Sequence, residues 1–354
     1  MLDQSSILEV LRPVQDPELQ KSLVDLNMIR NISVEDGLVK FNLVLTTPAC
    51  PLRELIVADC EKAVKQLPEV KAVEVKVTAD TPSQQPQPNK QSIPGVKNIL
   101  AISSGKGGVG KSTVAVNCAV ALALKGAKVG LLDADIYGPN VPTMLGLEDT
   151  PIMVRKGDSG EEILETTFNY GVKMVSMGCL IDPDQPVIWR GPMLNGIIRK
   201  FLYQVDWGEL DYLIVDMPPG TGDAQLTLGQ AVSMAGAVIV TTPQNVSLLD
   251  SRRGLKMFQQ MSVRVLGIVE NMSYFIPPDQ PDRSYDLFGS GGGEKTSREL
   301  KVPLLGCVPL EIALREGGDE GVPITISAPE SASAKALTAI AQQIAAQVSL
   351  AALM

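Results

Sequence analysis

The chain has 354 residues, 45% of them hydrophobic but only 4% aromatic, with a formal net charge of -9 and no histidine. The acid excess argues against nucleic acid as a partner, since neutralising phosphates needs clustered Lys and Arg. The missing histidine excludes Ser-His-Asp and Cys-His mechanisms, so a general base must be a carboxylate or a water held by backbone and amide groups.

In chain order, Ser5-Ser6 is expected to cap a first helix carrying Ile7, Leu8, Val10 and Leu11. Ile29–Val34 and Leu38–Leu45 read as strands joined at Glu35-Asp36-Gly37. Pro51–Leu67 follows as a helix, with Leu52, Leu55, Ile56, Val64 and Leu67 at helical spacing, and Val70–Val77 alternates as a third strand. Residues 1–80 therefore predict a small α+β domain. Thr81–Pro94, rich in proline and amides with almost nothing to bury, predicts an extended linker over 81–97.

From 98 to 354 strands and helices alternate. Asn98–Ser103, Ala127–Asp133, Tyr212–Asp216, Ala237–Thr242 and Val265–Glu270 are apolar throughout, as strands buried on both faces are. The expected fold is α/β, a doubly wound, mostly parallel sheet. Ser112–Leu124 is the helix after its first strand, and the Ala-rich Ser331–Met354 is a helix expected to pack on the sheet. No stretch reads as apolar enough to span a bilayer. The opening Met1-Leu2-Asp3-Gln4 lacks the segments of a signal peptide, so the expectation is a cytoplasmic protein with no membrane partner. Five widely spaced cysteines, at 50, 60, 118, 179 and 307, read as free thiols.

Gly105–Thr113 reads Gly-Lys-Gly-Gly-Val-Gly-Lys-Ser-Thr between a strand and a helix, the context in which G-x-x-x-x-G-K-S binds phosphate. Gly107, Gly108 and Gly110 permit backbone angles that turn successive N–H groups, Val109 among them, toward one anion. Lys111 reaches the terminal phosphates and Ser112 can ligate Mg²⁺. Asp133 and Asp135 end the next strand at i and i+2, facing one way. Tyr212–Asp216 closes an apolar strand on a carboxylate, the form of a Walker B element. There Asp216 would hold Mg²⁺ through water, with Pro218–Asp223 as a γ-phosphate switch. These residues predict an enzyme that binds and hydrolyses ATP with Mg²⁺.

With Lys106 inside the loop, the sequence resembles the deviant Walker A class, which includes the MinD, ParA, nitrogenase iron-protein and arsenical-pump ATPases. That resemblance implies that Lys106 crosses a homodimer interface to the partner's nucleotide, like an arginine finger. It also assigns Asp135 to the attacking water and Asp133 to the Mg²⁺ surroundings. Val269-Glu270-Asn271 resembles the base-recognition segment, which implies Asn271 on the adenine. Ile102–Asn117, Asp133–Pro142, Trp189–Met193, Asp216–Gln225, Glu270–Phe275, Phe288–Glu294 and Arg315–Asp319 together resemble the Mrp/ApbC family of iron–sulfur cluster carrier ATPases. Asp16-Pro17-Glu18-Leu19 and Thr46–Pro51 resemble the small domain of PaaD and of cytosolic cluster-targeting proteins. The resemblance implies assembly or transfer of 4Fe–4S clusters between donors and apoprotein clients.

One departure stands out. That family places a Cys-x-x-Cys just after Asn-Met-Ser-Tyr-Phe, letting two subunits share a cluster; here Pro277 and Gln280 occupy those places. An ATP-gated adaptor without its own cluster is therefore an alternative to the carrier. A MinD/ParA-like positioning ATPase is another, weakened by a tail, Ser331–Met354, with only Lys335 for charge. Among the cysteines, Cys50 is the expected iron ligand, because a helix beginning near Pro51 would stabilise its thiolate. The other four read as packing thiols.

Overall fold

Two apolar cores build two units, one of Met1–Pro82 with Ala345–Met354 and one of Ser83–Ile344. The structure, a computed structural model, describes residues 3–84, 90–136, 138–157, 160–180, 191–280 and 282–353. Gln85–Asn89 of the linker, Tyr137 and Trp189-Arg190 lie outside those residues, as do the side chains of Cys179 and Asp223.

In the small unit, helix α1 (Gln4–Leu11) is capped by Asp3, whose Oδ1 accepts from Ser6 N at 2.9 Å. The cap falls ahead of Ser5-Ser6 because Asp3 has the extended backbone that aims its carboxylate at the orphan N–H groups. Strands β1 (Ile29–Glu35) and β2 (Leu38–Leu45) pair antiparallel across Asp36-Gly37, both left-handed at φ 49 and 84 as a two-residue hairpin turn requires. Helix α2 (Arg53–Val64) crosses to β3 (Ala72–Ala79), which runs parallel to β2. Ile7, Leu11, Phe41, Leu43, Ile56 and Val64 fill the core between helices and sheet.

The large unit is built on eight strands in the described residues. They are β4 (Val96–Ser104), β5 (Val129–Asp133), β6 (Thr167–Asn169), β7 (Val172–Ser176), β8 (Leu210–Asp216), β9 (Gly236–Thr241), β10 (Val265–Glu270) and β11 (Leu304–Cys307). Their order is β6-β7-β5-β8-β4-β9-β10-β11, parallel except for the edge strand β6. The doubly wound, mostly parallel sheet read from the apolar runs is the fold observed. In register, Asp216 lies beside Asp133 and Ile102, Val240 beside Ser104, and Thr241 beside Glu270. One sheet edge thus collects the carboxyl ends of five strands, where open α/β sheets bind ligands.

The linker is held along its described length: Ile93 is buried, Gln84 N donates to Lys97 O, and Gln91 N donates to Ala231 O. One isoleucine and two backbone donors suffice to dock it. The tail helix α3t (Ala332–Leu353) is, contrary to the sequence reading, long and apolar enough to cross a bilayer by length and composition, with a mean hydropathy of 1.4. Alanine supplies that hydropathy. In the structure Ala334, Leu337, Ile340, Ala341 and Ile344 are buried as a core helix's would be. From Ala345 on, the helix belongs to the small unit, where Ser349 Oγ donates to Thr46 O at 3.4 Å.

Candidate nucleotide site

Strand β4 delivers the phosphate loop at the centre of the sheet. Ser104 Oγ donates to Lys106 O at 2.9 Å, and Gly220 N donates to Ser104 O at 3.0 Å, so the predicted switch segment is tied to the loop's root. At Gly105 a Cβ would sit 2.2 Å from the Asp250 carbonyl carbon of the helix Asn245–Gln260, leaving room only for glycine. Gly110, at φ 78, is the N-cap of the helix Lys111–Leu124. The loop therefore ends on a helix N-terminus, whose orphan N–H groups and dipole suit an anion.

Lys111 opens that helix with only 6% of its side chain exposed. Its Nζ lies 2.6 Å from Asp216 Oδ1 and 3.9 Å from Asp135 Oδ2, and donates to Ser112 Oγ at 3.3 Å. Asp133 and Asp216 are fully buried side by side. Asp133 accepts from Ser176 Oγ at 2.9 Å, from Asp135 N at 3.1 Å and from Val141 N at 3.4 Å. Burial, and then the neighbouring Asp216 charge, push the Asp133 carboxyl up to about 7 against the pull of those donors and of Lys111. One ammonium thus pairs with Asp216 and Asp135 beside the buried Asp133, and a phosphate can compete with Asp216 for it.

Asp216 Oδ2 and Ser103 Oγ are buried without a hydrogen-bond partner. Such orphaned oxygens are costly unless something binds them. With the Ser112 hydroxyl, which Lys111 Nζ also reaches, Asp216 Oδ2 offers oxygen donors of the kind that Mg²⁺ takes through its waters. Ser103, next in β4 to the residue in register with Asp216, faces the other side of the sheet. The residues fit the ion.

The structure brings Gly105–Thr113, Asp133, Asp135, Asp216 and Asn271 to one sheet edge. Lys106 is partly exposed, and among the described residues its side chain makes no ion pair or hydrogen bond. Asn271 is turned toward the loop: Nδ2 donates to Val109 O at 2.9 Å, and Oδ1 is buried without a partner. Its Nδ2 is thereby committed to the loop backbone. Sequence reasoning missed Ser176, the donor to Asp133, because β7 is five residues long and mixed in character. It also missed Gln225, whose Nε2 donates to Pro218 O and fastens the switch segment at 2.6 Å. An amide two residues after Asp223 at the start of a helix was the available signal.

Cys50 lies in the other unit, and its predicted thiolate is corrected. The helix starts at Arg53, beyond it, and burial pushes the thiol up to about 11. The contact with the Leu52 N–H pulls the other way but is outweighed, and the Glu18 and Asp16 charges raise the thiol further. Cys60 and Cys118 are buried and pushed up to about 12, and Cys307 is raised by burial too. Among the described residues no group of three or more His, Cys, Asp or Glu is placed to hold a metal.

Fold and site together define a P-loop nucleotide hydrolase. A model of the NUBPL iron-transfer P-loop NTPases matches residues 95–345, and one of iron–sulfur cluster assembly proteins matches residues 4–77. The chain belongs to the iron-transfer P-loop NTPase family. It is 77% identical over 353 residues to the iron–sulfur cluster carrier protein of Synechocystis sp., covering 100% of both chains. Its identity to the iron–sulfur cluster carrier protein of Escherichia coli is 42% over 334 residues, 94% of this chain and 89% of the relative. Among solved structures it resembles a nucleotide-binding protein of Archaeoglobus fulgidus in complex with ADP, at a TM-score of 0.56 and 40% identity, over 64% of this chain and 87% of the other. It also resembles the septum site-determining protein MinD of Pyrococcus horikoshii complexed with Mg-ADP, at a TM-score of 0.51 and 25% identity, over 69% and 94%.

Proposed function

We propose that this protein hydrolyses ATP with Mg²⁺ to drive the passage of iron–sulfur clusters from donors to apoprotein clients, working as a homodimer. The observation that carries the reading is Lys111, held between Asp216 and Asp135 at the phosphate loop of a chain 77% identical to an iron–sulfur cluster carrier protein. Lys111 would exchange Asp216 for the terminal phosphates. Ser112 and the freed Asp216 would hold Mg²⁺, which supplies neutralisation of phosphate charge, and Asp135 would orient the attacking water. Lys106, whose side chain makes no ion pair or hydrogen bond among the described residues, suits the deviant Walker A role of reaching a second copy's nucleotide.

The adaptor reading is kept by two observations: Pro277 and Gln280 stand where the family's thiols would, and the Cys50 thiol is raised rather than lowered. One Cys50 per protomer gives a dimer two thiol ligands, so a cluster held there would need further thiols and be labile. Anaerobic reconstitution with ferrous iron and sulfide separates the cases, with bound iron and the visible spectrum measured for wild type and Cys50→Ser. Iron in the wild type that is lost in the variant supports carriage on Cys50. Equal iron in both moves the cluster to other thiols, and none in the wild type leaves the adaptor.

A further inference from the structure

We infer that Asn271 is a positioning residue for the phosphate loop, acting on the loop's backbone and so on every polyphosphate ligand, whatever its base. The inference rests on reading Gly105–Thr113 as a nucleotide site. Asn271 directly follows β10, and its backbone N–H donates to Thr241 O at 2.8 Å. Its side chain is 2% exposed, with Nδ2 donating to Val109 O at 2.9 Å. The approach is so close that a Cβ on Gly110 would lie 2.1 Å from that same Nδ2, and 3.7 Å from Met272 Cε. Two consecutive side chains therefore close on the single peptide joining Val109 to Gly110.

The backbone that presents them is strained. Met272 sits at φ 54, in the left-handed region that a long side chain seldom adopts. Strain of this kind persists only where the surroundings over-determine it. Here Ser273 Oγ donates to Glu270 O at 2.8 Å and to Glu270 Oε1 at 2.9 Å, while Gly293 N donates to Glu270 Oε2 at 2.5 Å. The chain on either side of Met272 is thus pinned.

The chemistry follows from peptide planarity. In a trans peptide the C=O and N–H point in opposite directions. Holding the Val109 carbonyl toward Asn271 turns the Gly110 N–H to the other side, as a loop whose N–H groups converge on an anion requires. The bond that fixes the Val109 carbonyl is made by Asn271 Nδ2, while Oδ1 stays buried and unpartnered. Without the amide, the loop would spend part of its time in other peptide orientations, and its affinity for phosphate would fall by the fraction lost.

The test uses full-length Asn271→Ala and Asn271→Leu, the second nearly isosteric and uncharged so that the packing survives. KM and kcat for ATP and GTP are measured with the inhibition constant of inorganic tripolyphosphate, which has no base. Both KM values and the tripolyphosphate constant are expected to rise by one common factor, roughly five- to tenfold, with the ATP-to-GTP preference unchanged. A lost preference for ATP with tripolyphosphate unaffected would make Asn271 a base reader and overturn the inference, as would three unchanged constants. A wild-type protein that binds neither ATP nor tripolyphosphate would sink the nucleotide site itself, and this inference with it.

Discussion

At the edge of the large sheet, Asp133, Asp135 and Asp216 gather around the ammonium of Lys111; in the small unit, Asp16 and Glu18 bear on Cys50, and none of the groups acting on that thiol is a cation. Both places are acidic, the first buried and the second half-buried, yet they are prepared for different ligands. Where a lysine is present, buried carboxylates can stay together and exchange their partner for phosphate and Mg²⁺. Where it is missing, burial keeps a thiol protonated and the acidic neighbours add to the effect. Burial sets the stakes in each case, and the presence of one cation decides which charge is tolerated.

Removing that cation should have the largest effect. Lys111→Ala takes away the charge partner of the terminal phosphates and leaves Asp216 and Asp133 facing each other unpaired. Phosphate release from ATP should fall by about 1000-fold, to background. Wild-type-like release in this variant would show that the buried lysine is structural. Lys106→Ala should be smaller and different in kind: ATP binding retained, turnover lower by roughly 100-fold. Mixing it with an Asp135→Ala chain should recover part of the activity if Lys106 serves the other subunit, because one composite site is then intact. Unchanged turnover would reduce Lys106 to a solvated loop residue.

Much of the large unit was legible because its demands on sequence are severe. Strands buried on both faces must be apolar throughout, and Val265–Glu270 spans the same residues in sequence and structure. Leu38–Leu45 in the small unit does so as well. The phosphate loop announces itself through glycines that nothing else could replace, as at Gly105 and Gly110. The hairpin Thr167–Ser176 was illegible because strands of three and five residues carry too few alternations to register. Asn271 was placed at the right sheet edge, but no pattern of letters tells which neighbour an amide will choose. The raised thiol of Cys50 was illegible for a related reason. The helix dipole can be anticipated from the sequence, whereas the burial that overrides it is a property of the packed small unit.

The pH response of the nucleotide-free protein offers a sharper view of the first acidic group. Burial and the neighbouring Asp216 charge push the Asp133 carboxyl from its ordinary 3.8 up to about 7 in the folded chain. Between those values the folded state keeps a proton that the unfolded state has lost, so this group's stabilisation is complete below pH 3.8 and is lost as pH rises through 7. At one unit per ~1.4 kcal/mol, the swing is on the order of a few kcal/mol. Asp133→Asn cannot titrate, so the fall in melting temperature between pH 5 and pH 7.5 should shrink. An identical fall in the variant would mean that Lys111 keeps Asp133 ionised throughout.

The smallest effect concerns the second acidic group, and it is the cleanest probe of the thiol. Glu18 raises Cys50 by charge alone, whereas Asp16 also accepts the Glu18 and Leu19 N–H groups at 2.9 Å, so replacing Asp16 would disturb the turn. Glu18→Gln is therefore the better substitution. It removes one repulsive charge but leaves burial, the main cause of the raised thiol, in place. Alkylation of Cys50 by iodoacetamide at pH 8, followed by peptide mass, should quicken only about two- to threefold, because more of the thiol ionises once one repulsive charge is gone. It should remain slower than for a free cysteine peptide in both proteins. Cys60 and Cys118, more deeply buried, should react more slowly still. A wild-type Cys50 that outpaced the free peptide would reverse the comparison: its thiolate would then be the stabilised form, and Cys50 would regain the properties expected of an iron ligand.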